Sequence, residues 1–461
     1  MAPLSTRVFR TLIATLLISC APFVASCGFS PTVVPVSCSD FDETNLTPLT
    51  SQSTQFGFQD VGTIAAIHGT GTAKVDGKSF VKVQQSVALP GYADKATVFL
   101  NGWRANYPDS DHHLINVGTG IGNIKSNIDA EGKNRSLSWV ATGSLTDNGY
   151  DKGLNWSYFF TVIAWNSTRL NLFVDHGPDG GPLCSPPPKS QLNDNYFYGY
   201  SNSPSSAGSA FYSFIQNPGF LSGNITALLP RGFDFVWNDS NDDHHLRQLS
   251  YSLDHSETFA EHRKYNKKDA TVTPDLPDAA SHVGAGVVSW TSNVIFKDND
   301  TRRNYIYSEL DSGLGGPDVG LVQPPFASVP TDDGSSFFSG CSSTASRGIR
   351  SPDLEIRDIP YTYAIPMLTG WDVQYLCDDQ HVKEVGVWID NWVFDTPTPG
   401  GPGRIRYRLS SVLRDDDNNP DFLTVHKLTI LGLRPLAAGK GGAGNTGKSG
   451  KLPTKPRKSK S

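Results

Sequence analysis

Three short segments concentrate side chains able to bind a metal or move a proton: "DSDHHL" at 109–114, "NDDHHL" at 241–246 and "CDDQHV" at 377–382. Each offers carboxylates and imidazoles, the usual ligands of zinc and related ions. Two features weigh against an ion held within one segment. Adjacent strand residues point to opposite faces, so His112 and His113 with Asp111, or His244 and His245 with Asp243, share an ion only if the strand is bulged. The third segment also carries Gln380 where the others carry their first histidine. What all three share is the second histidine: His113, His245 and His381. Counting by twos from His381 reaches Val385, Val387 and Ile389, and from His245 it reaches Leu249, Tyr251 and Leu253. Each shared histidine is therefore expected to open a core-facing strand near a rim, in a structural role, with a neighbouring Asp or a later acidic turn satisfying its ring nitrogens.

The elements around these segments follow one order. Upstream stands a glycine plus an aromatic residue: Gly102-Trp103, Gly232-Phe233 and Gly370-Trp371. Downstream, an apolar strand end meets an acidic turn and then a new apolar strand. The step from Asp111 to Asp243 is 132 residues and from Asp243 to Asp379 it is 136. From histidine segment to acidic turn the distance is 36 residues in the first and third blocks and 55 in the second, whose excess fits a polar loop at 262–282. A period of this size suits a whole small domain. Runs such as "RIRYRLSSVL" and "FLTVHKLTIL" read as strands, and "AKVDGKSFVKV" reads as a hairpin about Asp76-Gly77. The expected fold is all-β: three tandem β-sandwich or jelly-roll-like repeats of about 130 residues, over 38–190, 191–325 and 326–436. Pro-rich stretches near 190 and 325 serve as linkers.

The ends of the chain set its compartment. "MAPLSTRVFRTLIATLLISCAPFVASCGFSP" has two arginines, an apolar run and small residues before a cysteine, so residues 1–26 read as an export signal. "LISC" and "VASC" resemble the bacterial lipobox, which implies lipidation at the cysteine. Cutting before Cys27 leaves an even set, Cys38, Cys184, Cys341 and Cys377, for pairing in an oxidising compartment, so Cys27 is favoured. Three pairings are open; Cys38 with Cys184 and Cys341 with Cys377 would keep each bridge within one repeat. Net charge is −6, but seven lysines and arginines with no acid occupy the end, leaving −13 elsewhere. Residues 437–461 read as a disordered basic tail suited to anionic surfaces, with no specific nucleic-acid recognition.

Chemistry beyond the histidines is sparse. The turn "DDDNNPD" sets Asp415, Asp417, Asn419 and Asp421 at alternate positions, which suits calcium, though solvent-exposed hairpin tips read the same way. No other cofactor is suggested. G-x-S-x-G, H-E-x-x-H and P-loop motifs are missing. Trp156, Trp165, Tyr196, Tyr198 and Tyr200 are candidate contacts for a glycan or cell-surface polymer, because aromatic faces suit sugar C–H faces. The expectation is a non-enzymatic, exported and membrane-anchored surface protein for binding or adhesion. A secreted carbohydrate-active hydrolase and an envelope scaffold lipoprotein are the alternatives.

Overall fold

The computed structural model describes residues 41–110, 112–128, 134–147, 152–175, 197–198, 209–217, 225–237, 244–259, 286–298, 305–322, 327–328, 349–350, 353–375, 381–398, 401–415 and 422–433. All lie within one compact unit, Pro35–Ser461. The export signal, Cys27, Cys38, Cys184, Cys341, Cys377, the expected linker near 190, the loop at 262–282 and the basic tail fall outside the described residues; of the stretch expected as a linker near 325, residues 320–322 and 327–328 are described and lie in strands that pair with Phe422–Leu433.

The described chain is all-β, without an α-helix. The first segment supplies β1 (Leu49–Asp60), β2 (Ile64–Val75), β3 (Phe80–Ala88), β4 (Lys95–Asn106), β5 (Asn116–Ile128), β6 (Arg135–Thr146), β7 (Leu154–Trp165) and β8 (Phe173–Asp175). The second supplies β9 (Phe197–Tyr198), β10 (Ser209–Asn217), β11 (Ile225–Trp237), β12 (Gln248–Phe259), β13 (Gly286–Lys297), β14 (Tyr305–Gly316) and β15 (Val319–Val322). The third supplies β16 (Ala327–Ser328), β17 (Ile349–Arg350), β18 (Asp353–Ile359), β19 (Tyr363–Tyr375), β20 (Glu384–Asp395), β21 (Gly403–Arg414) and β22 (Phe422–Leu433). Their patterns explain them. In β21 the outward arginines 406 and 408 alternate with buried Ile405 and Leu409, whereas the later halves of β7 and β22 are apolar on both faces and covered on both.

These strands form three sheets, ordered β1-β2-β7-β4-β20-β21-β17, β15-β22-β19-β12-β13-β10-β9 and β3-β6-β5-β11-β14-β8. Every sheet mixes two segments. The strand before each histidine segment pairs with the last long strand of its own segment (β4 with β7, β11 with β14, β19 with β22). Its other edge pairs with the strand that follows the histidine in a different segment: β4 with β20, β11 with β5 and β19 with β12. The pairing runs from first to second to third and back to first. Three self-contained sandwiches are therefore not what the sheets build, because each segment leaves open a strand edge that another completes. The hairpin expected at Asp76-Gly77 is also absent: β1 and β7 occupy both edges of β2, so the turn carries the chain into a different sheet, where β3 pairs with β6.

Each seam between segments is built alike. A β-bulge precedes Gly102, Gly232 and Gly370 in turn. The strand across the seam approaches at the glycine, so a Cβ on Gly102 would lie 2.3 Å from Trp388 Cα, and one on Gly232 would lie 2.6 Å from Gly120 Cα. Two residues beyond each glycine sits a polar side chain that meets the third residue after the shared histidine across the seam. Arg104 donates to Glu384, whose carboxylate also faces Arg414 at 2.7 Å; Asn116 donates to Asp234 at 2.6 Å; Gln248 donates to Asp372 at 2.9 Å. Burial raises the Asp372 carboxyl above the usual range. Arg104 with Glu384 is an ion pair whereas the other two are an amide donating to an aspartate, so closing the first seam against another segment would leave the buried Glu384 without the Arg104 guanidinium.

Side chains from all three segments meet in the core. Trp103, Phe233 and Trp371 touch pairwise, with ring centroids 5.2, 5.5 and 5.2 Å apart, in edge-on or tilted contacts. Two further histidines are wholly structural. His68 is fully buried, with its ring nitrogens 3.0 Å from Thr161 Oγ1 and 2.7 Å from the Ile389 carbonyl oxygen. His426 lies 3.2 Å from the Tyr407 hydroxyl. Burial lowers both imidazoles to about 4. The unfolded chain takes up these protons below about pH 6.5 and the folded chain only near 4, so stability falls as pH drops through that window. Urea unfolding at pH 7 and 4.5 should show wild type losing about 2 kcal/mol more than His426→Gln, whose amide does not titrate. Equal losses would refute the assignment.

Candidate metal centre

The strands β4, β11 and β19 deliver the histidine segments from one end. Five residues after each seam glycine stands a buried aromatic: Tyr107, Trp237 and Tyr375. The Tyr107 ring meets His112 edge-on at 4.8 Å, Trp237 stacks on His244 at 4.9 Å, and the Tyr375 hydroxyl donates to the His381 carbonyl oxygen at 3.3 Å. Backbone bonds then join the segments to one another. His112 N donates to Val382 O at 3.0 Å, Val382 N to His112 O at 2.9 Å, and Leu114 N to His244 O at 3.1 Å. The residues after the shared histidines, Leu114, Leu246 and Val382, are buried.

Adjacent histidines part company, as strand alternation requires. The first of each pair turns toward the acidic turn of its own segment: His112 Nδ1 lies 3.2 Å from Asp147, and His244 Nδ1 lies 3.6 Å from Asp298. The carboxylate expected to serve the shared histidine thus serves its neighbour. Asp147, Asp298 and Asp415 are buried, and the strands flanking each of these turns lie in different sheets and do not pair as a hairpin. Asp417, Asn419 and Asp421 lie outside the described residues, as do Asp111, Asp243 and Asp379.

The second histidines converge. Ring centroids of His113 and His381 are 4.4 Å apart, those of His245 and His381 4.6 Å, and those of His113 and His245 5.0 Å. One ring nitrogen from each lies within 4.8 Å of the other two, and all three side chains are half-buried. A tetrahedral ion holding imidazoles at about 2.0–2.1 Å needs nitrogens roughly 3.3 Å apart. Drawing each ring inward by about 1 Å reaches that geometry, a shift available to a half-exposed side chain by small χ rotations. Three neutral imidazoles are donors for borderline divalent ions such as zinc, copper, nickel or cobalt, and poor ones for calcium.

No family model matches this chain. Comparisons with curated proteins and with solved structures likewise give no match. The site must therefore be judged on its geometry.

The three residues that meet here stand at equivalent places in the sequence, but nothing local to one segment shows that an ion could be held between segments. The usable signal was their identical place in three blocks of near-constant period: if the blocks close on one another, equivalent positions share one centre. The aromatic candidates fare differently. Trp156 and Trp165 lie in β7 at 1% and 3% exposure, so neither presents a face to a sugar. Tyr198 lies in β9, and Tyr196 and Tyr200 fall outside the described residues.

Proposed function

We propose that this chain is an extracytoplasmic protein that binds one divalent transition-metal ion at His113, His245 and His381. The convergence of three imidazoles from segments 132 and 136 residues apart carries the reading. The export signal and the lipobox-like "VASC", which ends at Cys27, support a location outside the cytoplasm with a lipid tether. We further read the three segments as copies of one ancestral block, because the bulge, seam glycine, core aromatic and shared histidine recur at matching places in each.

Titration of chelator-treated protein with zinc, followed by calorimetry, should give one ion per chain. His113→Ala, His245→Ala and His381→Ala should each weaken binding by at least about 100-fold, and His112→Ala, whose ring faces Asp147, far less. Binding should also weaken on acidification, because a protonated imidazole cannot ligate. Uptake unchanged in all three variants would sink the proposal.

A further inference from the structure

Resting on that metal reading, we infer that the bound ion keeps an exchangeable coordination position and takes water or one small monodentate anion there. Three observations lead to this. Among the described residues the ligand set stops at three, His113, His245 and His381. Structural zinc sites are closed by four protein ligands, whereas sites with three protein ligands hold solvent or substrate in the fourth place. Second, the fold does not need the ion as a fastener. The three segments are already joined at this spot by the reciprocal bonds of His112 with Val382 and by Leu114 N to His244 O, and lower down by the three seams with their bulges and polar pairs. Third, the chain dives into the core one residue beyond each ligand, at Leu114, Leu246 and Val382, all at most 1% exposed, while the histidines themselves keep part of their surface in solvent. The ion is thus reached from the solvent side.

The chemistry of the donors fixes the class of ligand. Among the described residues the donors are three uncharged imidazoles, which add no negative charge to offset that of the ion, so the remaining position favours an anion, and water bound there is acidified. Ligand exchange is a simple substitution: one water leaves as one anion enters, with no change in oxidation state.

Cobalt(II) in place of zinc makes this visible, because its visible absorption reports coordination geometry. The full-length protein loaded with one equivalent of cobalt should show the intense bands of a four-coordinate ion, and sodium azide should shift them saturably at one azide per cobalt. His112→Ala should behave as wild type. Bands that stay unchanged up to about 100 mM azide would overturn the inference, since a fourth group from the chain would then be closing the site. Failure to take up cobalt at all would overturn the metal reading instead, so the two outcomes are distinct.

Discussion

Gly102→Ala is expected to lower the stability of the protein by about 2–6 kcal/mol, the sum of two independent costs. The first is steric: the new Cβ would meet Trp388 Cα and Cβ at 2.3 Å, and these backbone-anchored atoms cannot swing aside. The second is conformational, since Gly102 has φ +140°, a region that L side chains rarely adopt. Relief of the clash would require β4 and β20 to separate, which would break the seam that closes the first segment onto the third. The same reasoning ranks the equivalent positions. Gly232→Ala, with its nearest contact at 2.6 Å, and Gly370→Ala, at 2.9 Å, should cost progressively less, because neither has the positive φ of Gly102. Gly91→Ala, with nothing within 4 Å, should stay within about 0.5 kcal/mol of wild type. Urea unfolding of the four variants tests the ranking, and a Gly102 variant within about 1 kcal/mol of wild type would refute the tight seam.

Trp103→Ala is the second large effect, at about 3–5 kcal/mol. Trp103 is 1% exposed and touches both Phe233 and Trp371, which belong to the other two segments. A cavity costs most where its walls cannot collapse. Here each wall is anchored in a different sheet: β4, β11 and β19 are all held by partners on both edges. Trp103→Phe retains an aromatic ring and should cost less than half as much. An alanine loss below about 2 kcal/mol, with an unchanged dependence on denaturant, would mean that the three aromatics do not form a shared core.

How much of this was legible in the sequence differs by residue. Strands such as β21 and β22 could be read directly, because side-chain alternation and aliphatic content are local properties of about ten residues. The glycine-aromatic pairs and the shared histidines were likewise visible as a recurring order. The Asp76-Gly77 turn misled for a physical reason: turn chemistry dictates that the chain reverses, but only the availability of a free strand edge decides whether the flanking strands pair. In β2 both edges are taken. Trp156 and Trp165 misled in a similar way, since an aromatic ring suits a sugar face and a core equally well, and burial on both faces of β7 decides between them.

The histidines show the division most clearly. Local sequence determined that one histidine of each pair would face away from its neighbour, because strand side chains alternate whatever the strand packs against. It also determined that His113, His245 and His381 would occupy equivalent places. Only the tertiary structure decided that these places coincide. Three separate sandwiches and three interlocked segments share the same alternation and the same period. They differ in which strand completes each open edge, and that choice is made by close approach at Gly102, Gly232 and Gly370, by the pairing of Arg104 with Glu384, Asn116 with Asp234 and Gln248 with Asp372, and by the contact of Trp103, Phe233 and Trp371. Such contacts join residues more than a hundred positions apart, beyond the reach of any local pattern, and they turn three isolated histidines into one site.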